Sequence, residues 1–311
     1  MSSDRCLRRY LQGAIYGLAA VGIWSGWIVV ARLGLRTSLK PWDIAALRFG
    51  VAGLLLLPYI FRQGLAIDRL GWVGLAAIVF GGALPVFLAN AGLLFASAAD
   101  AGALFPGVMP LMVALLAAAL LKEQYTRTKK IGFALILPGV LAIVWGSGGK
   151  IGSLQNVGHG LFLGAGLAWA FYTVAMRKAR LDGLHAAAIS AVGSMILYLP
   201  VFAFLPGSAL VSVPLSDLVL QAVVQGVLTA IISLLLYGRA VSILGASSGA
   251  AFAALCPAMT ALLGIPILEE WPTKLGWVAI SLISAGVYIV SGGPMPRHAR
   301  ALLADAASDP R

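Results

Sequence analysis

The sequence predicts an all-α integral membrane protein of ten transmembrane helices, arranged as two inverted five-helix repeats with both termini in the cytoplasm. Three observations predict it: a composition too apolar for water, ten apolar runs of spanning length, and an internal duplication with an odd number of runs per copy. Of the 311 residues, 60% are hydrophobic and 11% charged, whereas soluble domains carry about a quarter charged residues. A mean hydropathy of +0.96 excludes a water-soluble globular enzyme. The 37 glycines follow no collagen-like period, and the abundance of Leu, Val and Ile excludes general disorder.

A helix crossing the bilayer needs about 20 apolar residues. Such runs fall at 11–31, 42–61, 71–94, 100–121 and 131–146, and again at 159–176, 185–205, 217–238, 246–268 and 275–292. Residues 1–10 form a basic cytoplasmic tail and 293–311 a second polar one. The first run is too long for a signal-peptide core and no A-x-A-like cleavage site ends it, so it is a retained helix. The net charge of +11 is spread over short loops. It sets topology and implies no nucleic-acid partner. With the N-terminus inside, Arg5, Arg8, Arg9, Lys129, Lys130, Arg177, Lys178 and Arg297 are among the many cytoplasmic cations, while Arg32, Arg36, Lys40, Lys150 and Lys274 lie opposite. The expected location is a bacterial inner membrane, with lipid as the surrounding partner. Cys6 and Cys256 belong at different depths, so no disulfide follows.

The duplication joins 11–146 to 159–292. Gly17, Trp24 and Arg32 of the first run correspond to Gly160, Trp169 and Arg177 of the sixth. Ala45-Ala46 and Pro58 correspond to Ala187-Ala188 and Pro200, and Ala101, Pro110 and Glu123 to Ser248, Pro257 and Glu270. Five crossings per copy force the second to enter the membrane from the opposite side. Inverted repeats typify secondary transporters, whose midplane site opens alternately to each face. Gly13-x-x-x-Gly17, Gly22-x-x-x-Gly26, Gly160-x-x-x-Gly164 and Gly245-x-x-x-Gly249 would allow helices to approach closely.

On these residues the chain resembles the drug/metabolite transporter superfamily, specifically its EamA-type ten-helix members. The likeness spans 13–292 and rests on Trp24-Ser25, on Ala46-Leu47-Arg48-Phe49, and on the doubled pattern from Ala101 through Pro110 to Lys122-Glu123 and from Ser248 through Pro257 to Glu269-Glu270. Within it the chain is most similar to the YddG-type exporters of aromatic and other amino acids. Ser190 stands where the second copy would repeat Arg48, so any role carried over for the arginine applies to one half.

Several residues are candidates for transport. Trp24 and Trp169 lie mid-span at matching positions, with Trp27 and Tyr172 one turn later; their rings can line a cavity or simply pack. Gln221, Gln225, Thr229, Ser233 and Tyr237 form a polar stripe that drifts about 40° per step on an α-helix, fit for a wet pathway or for interhelix hydrogen bonds. Ser190, Ser194 and Tyr198 make a shorter one. Asn90 adds an amide to the third span. Arg48 is an intramembrane charge that could attract a substrate carboxylate, or could be paired structurally with Asp43 or Asp100. Pro85, Pro106, Pro110, Pro257 and Pro266 are candidate bending points. Trp42, Trp72, Trp145, Trp271 and Trp277 fit an interfacial belt.

All carboxylates fall at or beyond span ends, and His159 and His185 near boundaries. Facilitated, uniport-like movement is therefore expected rather than proton coupling. The resulting expectation is a monomeric amino-acid exporter, taking aromatic and other neutral substrates, without cofactor, metal or enzymatic activity. Amphipathic drugs or other metabolites are the alternative cargo, and a channel is an alternative mechanism. A remote alternative is an intramembrane serine hydrolase, because 245–249 fits G-x-S-x-G as a bare string, though not in the strand-to-helix context that motif needs.

Overall fold

The computed structural model describes residues 3–146, 153–205, 207–245, 249 and 251–292. The Ser248 region of the doubled pattern and the 293–311 tail therefore lie outside the described residues. The described residues are helical and contain no strand. The helices are α1 (Ser3–Arg36), α2 (Pro41–Gln63), α3 (Ile67–Gly92), α4 (Ala98–Leu104), α5 (Met109–Leu121), α6 (Arg127–Gly146), α7 (Leu154–Lys178) and α8 (Gly183–Ala203). Then α9 (Leu215–Gln221) runs through a π-helical segment (Ala222–Ile232) into α10 (Ser233–Leu244). A 3₁₀ turn (Phe252–Leu255) leads into α11 (Cys256–Leu268), and α12 (Lys274–Val290) follows. Eight helical stretches are long and apolar enough to cross a bilayer, and 252–268 and 274–290 are shorter apolar helices. α1 begins at Ser3, and its candidate membrane span runs from Tyr10 to Arg36.

Local chemistry sets the boundaries. Ser97, Ser153, Asp182 and Thr273 each accept a backbone N–H from the helix they open, satisfying a donor that has no intrahelical partner. Proline breaks or bends the rest: Pro106 lies in the 105–108 interruption between α4 and α5, and Pro110 and Pro257 sit in the first turns of α5 and α11, where the missing N–H costs nothing. Pro85 and Pro266 lie inside α3 and α11.

Helix pairing repeats across the two halves. α3 packs along α7 as α10 packs along α1, α5 against α7 as α11 against α1, and α3 against α8 as the π segment against α2. The α2–α8 and α6–α12 pairs map onto themselves under the same exchange. At the α6–α12 crossing the backbones touch: a Cβ at Gly286 would lie 2.6 Å from the Gly132 oxygen, and one at Gly132 would lie 2.8 Å from the Gly286 oxygen. Apolar helices surrounded by lipid gain little from burial, so this fit of small residues supplies much of the attraction. Large apolar side chains such as Phe61, Trp72, Phe80, Trp145, Phe204 and Trp271 remain exposed on the outside. Trp72, Trp145 and Trp271 suit an interfacial belt; Trp42 and Trp277 are only partly exposed.

Gly286→Val should cost about 1–3 kcal/mol by overpacking this crossing, seen as a lower Tm in detergent. Gly238→Ala in α10, where a Cβ meets nothing within 4 Å, should not lower it.

Candidate functional site

The aromatic candidates divide between two places. On α1, the Trp24 Nε1 donates to Ser233 Oγ at 3.0 Å, and its ring lies 5.2 Å from that of Tyr237. One turn on, Trp27 meets Phe105 edge-on at 6.3 Å between centroids. The rings of the repeat-related Trp169 and Tyr172 on α7 meet at a tilt of 39°, 5.0 Å between centroids. Trp169 is partly buried and touches two separate core clusters. Tyr172 is buried against the Gly81 backbone on α3, where a Cβ would come within 3.0 Å of the Tyr172 nitrogen. Tyr172 is therefore packed closely against α3.

Arg48 lies on α2 with its guanidinium carbon 5.5 Å from the centre of the Trp27 ring. Neither expected carboxylate meets it. Asp43 instead accepts from the Lys40 and Ala209 backbone N–H groups and from Ser208 Oγ, tying down the chain after α8. Asp100 takes Gln155 Nε2 and His159 Nε2, both at 3.2 Å. Arg48 Nη1 is left buried without a hydrogen-bond partner, a costly condition for a cationic donor. Cation–π contact with Trp27 offsets part of that cost.

Two amides share this condition. Asn90 is fully buried, and neither its Oδ1 nor its Nδ2 has a partner. Its helix meets that of Arg48 one turn away, where Phe87 lies 5.7 Å from Phe49. Gln225 Nε2 donates to Gln221 Oε1 at 3.2 Å, but its own Oε1 is buried and unpartnered. Gly226, the next residue, sits on Val51 of α2. Arg48 is three residues before Val51.

The polar stripe does not drift as an α-helix would make it. From Ala222 to Ile232 the chain makes π turns, in which i→i+5 bonding puts more than four residues in each turn. Residues four apart then fall short of a full turn, so their drift opposes that of the α-helical turns on either side. Gln221, Gln225, Thr229 and Ser233 are all buried, facing α1 and α2. Two of them act as interhelix ties: Gln221 Nε2 donates to the Val30 oxygen at 2.6 Å, and Ser233 Oγ accepts from Trp24 while donating to the Thr229 oxygen at 2.7 Å. Thr229 Oγ1 bonds the Val224 oxygen at 2.7 Å, five residues back. Only Gln225 keeps an acceptor open within the stripe.

One cluster escaped sequence reasoning. Arg32, Arg36 and Glu270 served there as topology or repeat markers, yet they converge at one end of the bundle. Glu270 Oε1 accepts from Arg32 Nε at 2.9 Å and Arg36 Nη2 at 2.7 Å, while Oε2 accepts from the Ala98 N–H at 2.8 Å. Arg32 also donates to the Leu93 oxygen and Arg36 to the Leu268 oxygen. The signal was present in the paired arithmetic of the duplication, Arg32 with Arg177 and Glu123 with Glu270. Among the described residues no cluster of His, Cys, Asp and Glu could hold a metal ion.

The model of the EamA-like transporter family matches twice, at residues 11–145 and 156–292. The uncharacterized transporter YyaM of Bacillus subtilis is 30% identical over 268 residues, covering 81% of this chain and 85% of YyaM. The uncharacterized inner membrane transporter YedA of Escherichia coli K12 is 25% identical over 303 residues, 96% of each chain. A protein solved by crystallography matches in fold, with a TM-score of 0.59 and 20% identity over 96% of this chain and 99% of its own.

Ser233→Ala should strand the Trp24 N–H and lower stability by about 1–3 kcal/mol. In a Trp24→Phe background the same change should cost clearly less, a coupling that thermal unfolding of the four proteins in detergent would reveal.

Proposed function

Because the chain belongs to the EamA-like transporter family, and is thereby a multi-pass membrane transporter, we propose that it exports amino acids across a bacterial inner membrane. The substrates are aromatic and other neutral amino acids. The proposed topology is ten crossings in two inverted repeats, 11–146 and 159–292, with both termini cytoplasmic. The repeated pairing of helices supports that topology, since the main helix pairs recur when the two halves are exchanged.

The observation that carries the substrate reading is the Arg48 guanidinium, set against the Trp27 ring with a buried donor unpartnered. A carboxylate arriving there would pair the charge and fill the missing hydrogen bond at once. The open acceptors, Asn90 Oδ1 and Gln225 Oε1, suit the ammonium end of the same molecule. Trp24, Trp27, Trp169 and Tyr237 offer ring faces to an apolar side chain, with Thr229 and Ser233 completing the polar wall. Substrate then moves down its own gradient as the repeats rock around this locus, with Pro85, Pro106, Pro110 and Pro257 as bending points.

Counterflow of radiolabelled tryptophan in proteoliposomes tests the reading. Arg48→Gln should raise the half-saturation concentration roughly tenfold or more, equivalent to at least about 1.4 kcal/mol of lost binding. Competition by tryptamine, which has no carboxylate, should be unaffected. Equal losses for both compounds would remove Arg48 from the site, and uptake strongly driven by an imposed pH gradient would overturn the uniport mechanism.

A further inference from the structure

The Glu270 cluster has a repeat-related counterpart. Arg177 stands where Arg32 stands, and Glu123 where Glu270 stands; the structure pairs these two as well, Arg177 Nη1 to Glu123 Oε1 at 3.4 Å. Both glutamates are presented by the same backbone device. Lys122 and Glu269 close α5 and α11 in the left-handed conformation, at φ 56°, ψ 31° and φ 56°, ψ 28°. A non-glycine residue adopts it infrequently. The two pairs are thus equivalent in sequence and in backbone, Arg32 in the last turns of α1 and Arg177 in the last turn of α7, ends that the proposed inverted threading puts at opposite faces.

They are unequal in what they grip. Arg32 near the end of α1 and Glu270 just beyond α11, two helices that pack together, each also grip a further segment of the first repeat. Arg32 donates to the Leu93 oxygen at the end of α3, and Glu270 accepts the Ala98 N–H that opens α4. Arg36 adds a second cation to Glu270. The side chains of Arg32 and Glu270 are 21% and 13% exposed. At the other end Arg177 and Glu123 are 48% and 39% exposed, and among the described residues neither bonds to α10, the counterpart of α3. Glu123 is held instead by its neighbour Tyr125, whose hydroxyl donates to Oε2 at 2.9 Å. Burial first, and then that bond, push the phenol up to about 12, so it stays a donor at neutral pH.

We infer that the two Arg–Glu pairs are reciprocal latches on the two mouths of the carrier, Arg32–Glu270 engaged in this conformation and Arg177–Glu123 released. This rests on the alternating-access reading and goes beyond it by naming the side chains that hold each mouth shut. In the opposite state Arg177 reaches the carbonyls of the last turn of α10, around Ala240, while Arg32 and Glu270 let go of Leu93 and Ala98. Arg36 has Leu181 as its counterpart and therefore no cationic equivalent, so the Glu270 end has the stronger hold.

Pulsed electron–electron distance measurements on the full chain in proteoliposomes, without substrate, test this. In a Cys6→Ser, Cys256→Ser background, spin labels at Thr37→Cys with Phe95→Cys report the Glu270 end, and at Lys178→Cys with Ser242→Cys the Glu123 end. Glu270→Gln should add a longer component at the first pair and a shorter one at the second. Glu123→Gln should do neither, and should deplete any such minor components present in the parent. Arg32→Lys keeps the charge but loses the fork that spans Glu270 and Leu93; it should shift the distances as Glu270→Gln does, to a smaller extent, and carries the test if Glu270→Gln does not fold. Unchanged distances in the folded variants, or both glutamate substitutions widening the same end, would overturn the proposal. A reciprocal shift in a protein that does not exchange tryptophan would refute the amino-acid reading and leave the latches standing.

Discussion

Hydrocarbon offers no hydrogen-bonding partner, so each polar group carried into the bilayer must be satisfied by the protein itself or be left at a cost. The bundle is organised around that requirement. Gln221, Ser233 and Trp24 answer it by tying the long π-interrupted helix to α1. Asp43 and Asp100 answer it at helix starts, by gathering backbone and side-chain donors. Among the buried atoms left without a partner are those of Arg48, Asn90 and Gln225, on α2, α3 and the π segment, and α2 packs against the other two.

Much of the architecture was legible in the sequence because it depends on properties that survive in one dimension. Spanning length and apolar composition give the helices, and matched residues such as Arg32 with Arg177 give the duplication. The helix ends were less legible. α1 begins at Ser3, ahead of the span it carries from Tyr10, because basic residues continue a helix readily once it leaves the apolar layer. The break between α4 and α5 was signalled by Pro106, and the structure places it there.

The candidate site was half legible. Trp24 meets Ser233 and Tyr237 of the stripe, and Arg48 meets Trp27. Tyr172 does not join them, since its position against the Gly81 backbone depends on how closely α3 approaches α7, a distance that no residue spacing encodes. The π segment was equally hidden. Four-residue spacing reads as a stripe drifting one way on an α-helix, and the wider turn reverses that drift over 222–232. Glu270 was seen but undervalued, because a carboxylate at a span end looks solvated until the partners from distant segments are known.

The extra arginine at position 36 makes the carrier lopsided, with three donors on one carboxylate and fewer on its twin. Such lopsidedness cannot pump. Detailed balance requires that whatever apparent affinity is gained at one membrane face be returned as slower turnover from it, so at equal concentrations the net flux is still zero. What a single unmatched charge can set is the compartment whose solute level the empty protein samples most of the time, and hence the side on which saturation is felt first.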